Sequence, residues 1–248
     1  MTGSILRTPD SKLRTGILYG VGIGPGDPEL LTLKALRILK QTDIIAVPKS
    51  KEEAGSRALS IVEKVVDLKD KEIVELILPM TKDREILAKA RKEVTILLSE
   101  RLKQGKDVAC ITLGDPLWYS TFSYLIPFII DAIPGVKVQI IPGVSSINAA
   151  AGVALLPLAE ADEKLAVIPA TYGQEDLKEI VKRFDTVVLM KVSSVIEKVL
   201  TVLEELALKD KAVFVSRAGW PEERVIKDLN SLKSQNLDYF SMVIVKNE

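Results

Sequence analysis

Short unbroken apolar runs alternate along this chain with stretches in which apolar residues recur every three or four positions. The first kind predicts buried strands at 17–21, 43–47, 73–78, 108–113 and 136–141. The second predicts helices from Asp27 through Gln41 and at 56–66, 83–103, 118–132 and 144–153. In the first helix Leu30, Leu31, Leu33, Leu36 and Leu39 form the apolar stripe, and Lys34, Arg37 and Gln41 fall on the wet side. Asp27 followed by Pro28 and Glu29 supplies an N-cap acid, a proline at the first position and a second acid at the positive dipole end. Apolar strands separated by amphipathic helices imply a mostly parallel sheet of five strands, covered on both faces.

After Leu155-Leu156-Pro157 the alternation resumes, with strands at 165–168, 186–192 and 212–216 and helices at 174–184 and 194–206. Residues 224–229 and 240–245 read as two strands joined by a polar turn, which makes the second half a mixed-sheet α/β domain. The expected organisation is a flexible tail at 1–13, an N-terminal α/β domain at 14–143 and a C-terminal α/β domain at 144–248.

Composition narrows the chemistry. The sequence contains no histidine, so no imidazole relay, no histidine-rich zinc site and no base with a natural pKa near neutrality is available. The 34 Lys+Arg balance 34 Asp+Glu, so no global field draws the protein to nucleic acid or anionic lipid. A single cysteine, Cys110, inside the apolar run Val108-Ala109-Cys110-Ile111, suits a reducing compartment and reads as a small buried hydrophobe. Met1–Lys12 lacks the apolar core of a signal peptide, and no apolar run approaches the ~20 residues that span a bilayer. A cytoplasmic protein is expected, with no membrane or nucleic-acid partner and no metal site.

Three strand-to-helix junctions carry the candidate chemistry. The first is Gly20-Val21-Gly22-Ile23-Gly24-Pro25-Gly26-Asp27, the second Leu113-Gly114-Asp115-Pro116, and the third Pro142-Gly143-Val144-Ser145-Ser146. Glycine lets the backbone turn sharply and lets a flat ligand approach it closely. The first junction fails the dinucleotide pattern G-x-G-x-x-G in either frame, and no Walker loop occurs. Asp27 and Glu29 would moreover repel a phosphate, so the turn suits a ligand of little negative charge or a cationic one. Each junction by itself also fits an ordinary tight turn: Asp115 would cap the next helix, and the small residues after Ser146 would serve close packing. Hydroxyls cluster after the second, at Tyr119, Ser120, Thr121, Ser123 and Tyr124. In one parallel sheet the three loops converge along one edge, where α/β proteins bind ligands.

On these segments the chain resembles the tetrapyrrole methylases, S-adenosylmethionine-dependent enzymes that build cobalamin and sirohaem. The resemblance runs from Ile17 to Val245. Within the family, residues 111–122, 142–149 and 165–170 are most similar to the methylases acting on carbon 20 of precorrin-2 or its cobalt-loaded form. It implies two α/β domains with a ligand cleft between them, a homodimer, and S-adenosylmethionine as methyl donor, leaving as S-adenosylhomocysteine. Carried over by position, donor contacts fall on Pro25, Leu113, Gly114, Asp115, Trp118, Ser145, Ser146, Met190 and Ala218. The family's precorrin-2-forming members carry Tyr-Asp-Arg-Leu after the second strand; here Ala46-Val47-Pro48-Lys49-Ser50 stands there, which leaves no inherited base.

Tyr119 is a candidate to orient the substrate or relay a proton, and equally fits a packed aromatic with a satisfied hydroxyl. A macrocycle fringed with carboxylates calls for a few cations, for which Lys49, Lys51, Arg57, Lys191 and Arg217 are the candidates. Other readings stay open: a related methylase acting on another precorrin, on RNA or on a protein, or a binder of S-adenosylmethionine or tetrapyrrole without catalysis.

Overall fold

Strand β1 (Ile17–Gly22) is buried at every position, and so is β4 (Val108–Thr112) beside it. The computed structural model describes residues 14–50, 55–81 and 83–247. The expected tail at 1–13 and the candidate Lys51 lie outside the described residues. With β2 (Ile44–Lys49), β3 (Glu72–Ile77) and β5 (Lys137–Ile141), these strands form an all-parallel sheet in the order β3-β2-β4-β1-β5.

One face of that sheet carries Leu18, Ile44, Ala46, Val74, Leu76, Val108 and Cys110. It packs against α3 (Arg84–Lys103) and α4 (Thr121–Ala132) through Val94, Leu98, Leu102, Phe122, Leu125 and Ile129. The alternate set, Tyr19, Val21, Ile45, Val47, Ala109 and Ile111, is buried as well, with α2 (Arg57–Val62) against β4. Burial on both faces is why these strands are apolar throughout rather than alternating.

Among the described residues the chain divides into two compact units. One contains the residues through Gly22 together with Thr32–Gly143; the other contains Ile23–Leu31 together with the chain from Val144 onward. The segment Ile23–Leu31 thus belongs with the second unit, whereas the sequence pattern placed it in a continuous 14–143 stretch.

The second unit opens its regular structure with α5 (Ser146–Ala154). Its strands β6 (Leu165–Pro169), β7 (Thr186–Met190), β8 (Ala212–Ser216), β9 (Arg224–Ile226) and β10 (Ser241–Lys246) form a mixed sheet in the order β6-β7-β10-β8-β9. β6 and β7 run parallel, and β10 runs antiparallel to both its neighbours. Helices α6 (Gln174–Arg183) and α7 (Ile196–Glu205) cover the face carrying Val187, Leu189, Phe214, Val243 and Val245. On the other face Ile147, Ala150, Ala151 and Ala154 of α5 pack on Val188, Val213, Val215 and Ile244. The small residues of α5 therefore serve close packing on a sheet.

Two expectations are corrected. Residues 27–41 do not form one helix: Pro28–Leu30 is a 3-10 turn capped by Asp27, Leu31 is extended (ψ 134°), and α1 (Leu33–Gln41) starts afresh. Thr32 makes that second start, its hydroxyl accepting from the Ala35 N–H at 3.1 Å, a capping bond that rivals continuation of the turn. Leu33, expected on the apolar stripe, is consequently 86% exposed. The last two strands are not a hairpin either, because β8 lies between β9 and β10 and the chain returns through the 3-10 turn Leu229–Leu232. Among the described residues no helix is long and apolar enough to cross a membrane.

Candidate active site

β1 lies between β4 and β5, and all three run parallel, so their C-terminal ends emerge side by side. There the loops approach to a distance that only glycine permits. A Cβ on Gly22 would stand 2.6 Å from the Gly114 carbonyl oxygen and 2.6 Å from the Gly143 nitrogen, and one on Gly143 would stand 2.2 Å from that same oxygen. Gly114 itself adopts φ +68°, a conformation that side chains resist. Convergence of the three junctions, expected from pattern alone, is thus realised in this unit by Gly22, Gly114 and Gly143.

Asp115 joins two of these loops. Its Oδ1 accepts from the Leu117 N–H at 2.9 Å and its Oδ2 from the Gly143 N–H at 3.1 Å. The helix cap that sequence reasoning offered it is made instead by Ser120, which accepts from the Phe122 N–H and shares a hydrogen bond with Thr112 in the buried interior. Ser123 donates to the Ser120 carbonyl, so two of the hydroxyls after this junction are engaged with backbone. Leu113 and Gly114 remain partly accessible, followed by exposed Leu117, Trp118 and Tyr119. Tyr119 takes φ +51°, which holds the aromatic pair in a fixed turn ahead of α4.

In the second unit Pro25 is buried, and its carbonyl accepts a 2.7 Å hydrogen bond from the Trp220 indole N–H. Asp27 accepts from the Glu29 N–H at 2.8 Å. Gly219, at φ +81°, lies so close that a Cβ there would be 3.1 Å from the Asp27 nitrogen and 3.6 Å from Pro25 Cγ. Ala218 and Met190 belong to the apolar cluster that seats α5 on the sheet. Ser145 caps α5: its hydroxyl accepts from the Asn148 N–H and donates to Asn148 Oδ1 at 2.6 Å. Ser146 is the first residue of that helix and is partly accessible.

Two of the expected substrate cations are held in ion pairs. Lys49 pairs with Glu75 of the neighbouring strand at 2.7 Å, and Arg217 pairs with Asp238 at 2.8 Å and Glu222 at 3.3 Å. Those carboxylates push the Arg217 guanidinium pKa further up, chiefly through the Asp238 hydrogen bond. Arg57 opens α2 at an exposed position, and Lys191 is exposed at φ +58° directly after β7. Sequence reasoning missed Trp220. The signal was present: Trp220 follows a glycine-bearing turn after an apolar strand, Ser216-Arg217-Ala218-Gly219, the same pattern that marked the first three junctions.

Comparison with known proteins places these features in a family. Residues 17–232 match the model of the Tetrapyrrole (Corrin/Porphyrin) Methylases. The chain is 41% identical over 235 residues to a probable cobalt-precorrin-2 C(20)-methyltransferase of Methanocaldococcus jannaschii, covering 92% of this chain and 95% of that protein. It is 33% identical to the cobalt-precorrin-2 C(20)-methyltransferase of Salmonella typhimurium, covering 94% and 97%. Its fold matches the uroporphyrin-III C-methyltransferase of Thermus thermophilus, solved in complex with S-adenosylhomocysteine, with a TM-score of 0.67 at 26% identity over 94% of this chain and 98% of that one. The three glycine-bearing junctions and the parallel sheet that aligns them are thus found on a chain that belongs to the tetrapyrrole methylases.

Proposed function

We propose that this methyltransferase carries a methyl group from S-adenosylmethionine to carbon 20 of precorrin-2 or its cobalt-loaded form, a step of cobalamin biosynthesis. The observation that carries the reading is similarity along nearly the whole chain to proteins named for that reaction. The glycines where β1, β4 and β5 end let three loops pack backbone to backbone, since a Cβ at Gly22 or Gly143 would strike the Gly114 carbonyl oxygen. Leu113 and Gly114 are left partly accessible there, which is backbone that a donor could meet.

Bound S-adenosylmethionine would supply a methyl group already activated by the positive charge on its sulfur. The work left to the chain is to hold, orient and keep water away, and alignment of this kind can lower a barrier by ~7–11 kcal/mol. Leu113, Gly114, Asp115 and Trp118 of the first unit, and Pro25, Ser145, Ser146, Met190 and Ala218 of the second, are the residues assigned to the donor. Asp115 acts through its two backbone hydrogen bonds, which hold the Gly114 carbonyl in place. Carbonyl dipoles suit a cationic ligand, and Asp27 and Glu29 add negative charge where a phosphate would be repelled. With no histidine in the sequence, any proton movement falls to carboxylates, hydroxyls or the macrocycle itself, and Tyr119 is the candidate to orient the substrate or relay a proton. Lys49, Lys51, Arg57, Lys191 and Arg217 are assigned to the substrate's carboxylates, and the chain acts as a homodimer without nucleic acid.

Incubation with methyl-labelled S-adenosylmethionine and precorrin-2, metal-free and cobalt-loaded in parallel, tests this. The expected outcome is one added methyl group, mapped to carbon 20 by NMR, in at least one pigment. Unmodified pigment in both arms, with the protein folded, refutes it.

A further inference from the structure

We infer that Trp220 is a positioning residue for the methyl donor, setting the place of the Pro25 turn; this rests on the functional reading above. Pro25 has no N–H, so its carbonyl is the polar backbone handle it offers, and the Trp220 indole N–H holds it at 2.7 Å across 195 residues of sequence. The indole also packs directly against the turn. A Cβ on Gly26 would stand 2.2 Å from Trp220 Nε1 and 2.3 Å from Cδ1, closer than real atoms approach. Gly26 does not adopt the left-handed conformation that Gly24 and Gly219 do, at φ +79° and +81°. Its missing side chain therefore serves the ring of Trp220 and not the backbone.

The loop that bears Trp220 is itself braced. The Trp220 N–H donates to the Arg217 carbonyl at 2.9 Å, closing a turn over Ala218 and Gly219, and Gly219 donates to Glu223 at 2.8 Å. Gly219 presses on Asp27 and Pro25 from the same loop. Two assigned donor contacts, Pro25 and Ala218, are in this way tied through one indole: Ala218 lies two residues from it in the chain, and Pro25 lies under its N–H. A shift of the ring moves Pro25 while leaving the sheet untouched, which is the property of a residue that acts through another.

Calorimetric titration with S-adenosylhomocysteine tests this in wild type, Trp220→Phe, Gly26→Ala, Trp220→Ala and the Trp220→Ala/Gly26→Ala double variant. Trp220→Phe keeps an aromatic ring and loses the N–H, and is expected to weaken binding about tenfold, the worth of one hydrogen bond to a buried carbonyl. KM for the methyl donor should rise with it, while KM for the tetrapyrrole and kcat stay within about twofold. Gly26→Ala is expected to weaken binding strongly when the indole is present and little once Trp220 is alanine, a non-additivity that marks direct contact. Equal affinity in wild type and Trp220→Phe, or strict additivity of the two alanine substitutions, overturns the positioning role. So does a Trp220→Phe variant that no longer folds by circular dichroism, since the residue would then be structural. Absence of binding in wild type would instead refute the functional reading on which the inference rests.

Discussion

Replacing Asp115 by alanine probes the construction of the β4 loop most directly. The carboxylate accepts from Leu117 N at 2.9 Å and from Gly143 N at 3.1 Å, and hydrogen bonds to a charged acceptor contribute ~1.5–3 kcal/mol each. Leu117 is exposed, so water replaces the first bond at little cost. The Gly143 N–H is partly buried and faces the Gly22 and Gly114 backbones, so its loss is felt more fully. The sum is about 2 kcal/mol, which for a chain of this size corresponds to a fall in Tm of roughly 4–8 °C. The same figure sets the expected loss of donor affinity at about 30-fold if the Gly114 loop must be fixed before it binds. Isothermal titration with S-adenosylhomocysteine well below the variant's Tm measures it. Asp115→Asn should fall between, because its oxygen can keep one backbone N–H while its amide opposes the other. Donor affinity and turnover unchanged in Asp115→Ala would refute the argument that this carboxylate holds the loop.

Gly22→Ala places a Cβ 2.6 Å from both the Gly114 oxygen and the Gly143 nitrogen, backbone atoms that cannot rotate away, so a loss of ~3 kcal/mol or more in denaturant unfolding is expected. Cys110 is fully buried and burial pushes its thiol up to about 12, so native protein at pH 8 should resist a disulfide-exchange reagent that labels one thiol after unfolding in guanidinium. Glu163 is held below the usual carboxylate range, first by the Glu160 N–H and then by Lys246. Its folded pKa is the lower one, so its stabilisation is present above the unfolded pKa and is lost as pH falls through the folded value. The acid limb of Tm against pH should therefore be shallower in Glu163→Gln than in wild type.

The apolar runs made the parallel sheet legible because strands buried on both faces tolerate few polar residues, and β1 and β4 are buried throughout. The glycine junctions were legible as sharp turns at strand ends, while the close approach of Gly22, Gly114 and Gly143 followed from the parallel sheet that sets those ends side by side. Where local signals competed, the sequence misled. Asp27 and Thr32 each offer an N-cap five residues apart, and nothing in the pattern says that Leu31 breaks the helix between them. The pairing of β9 and β10 was read from adjacency in the chain, yet β10 sits between β7 and β8, because strand order in a mixed sheet follows which apolar faces meet and not the order of synthesis.

Candidate residues divide in the same way. Residue type and position marked Asp115 as important, while its partners, Leu117 N and Gly143 N, followed only from the meeting of two loops 28 residues apart. Lys49 and Arg217 were legible as cations, and only the fold showed carboxylates of Glu75 and Asp238 against them. Gly26 and Trp220, one on each of the second unit's two chain segments, exchange information in no local pattern. What the sequence determined alone was the absence of imidazole chemistry, set by composition, together with the kind of fold and the glycine-bearing turns, set by neighbours a few residues apart. Which glycine answers to a turn, which to a ring and which to another strand was decided by tertiary contact, because excluded volume acts between atoms that chain distance does not bring together.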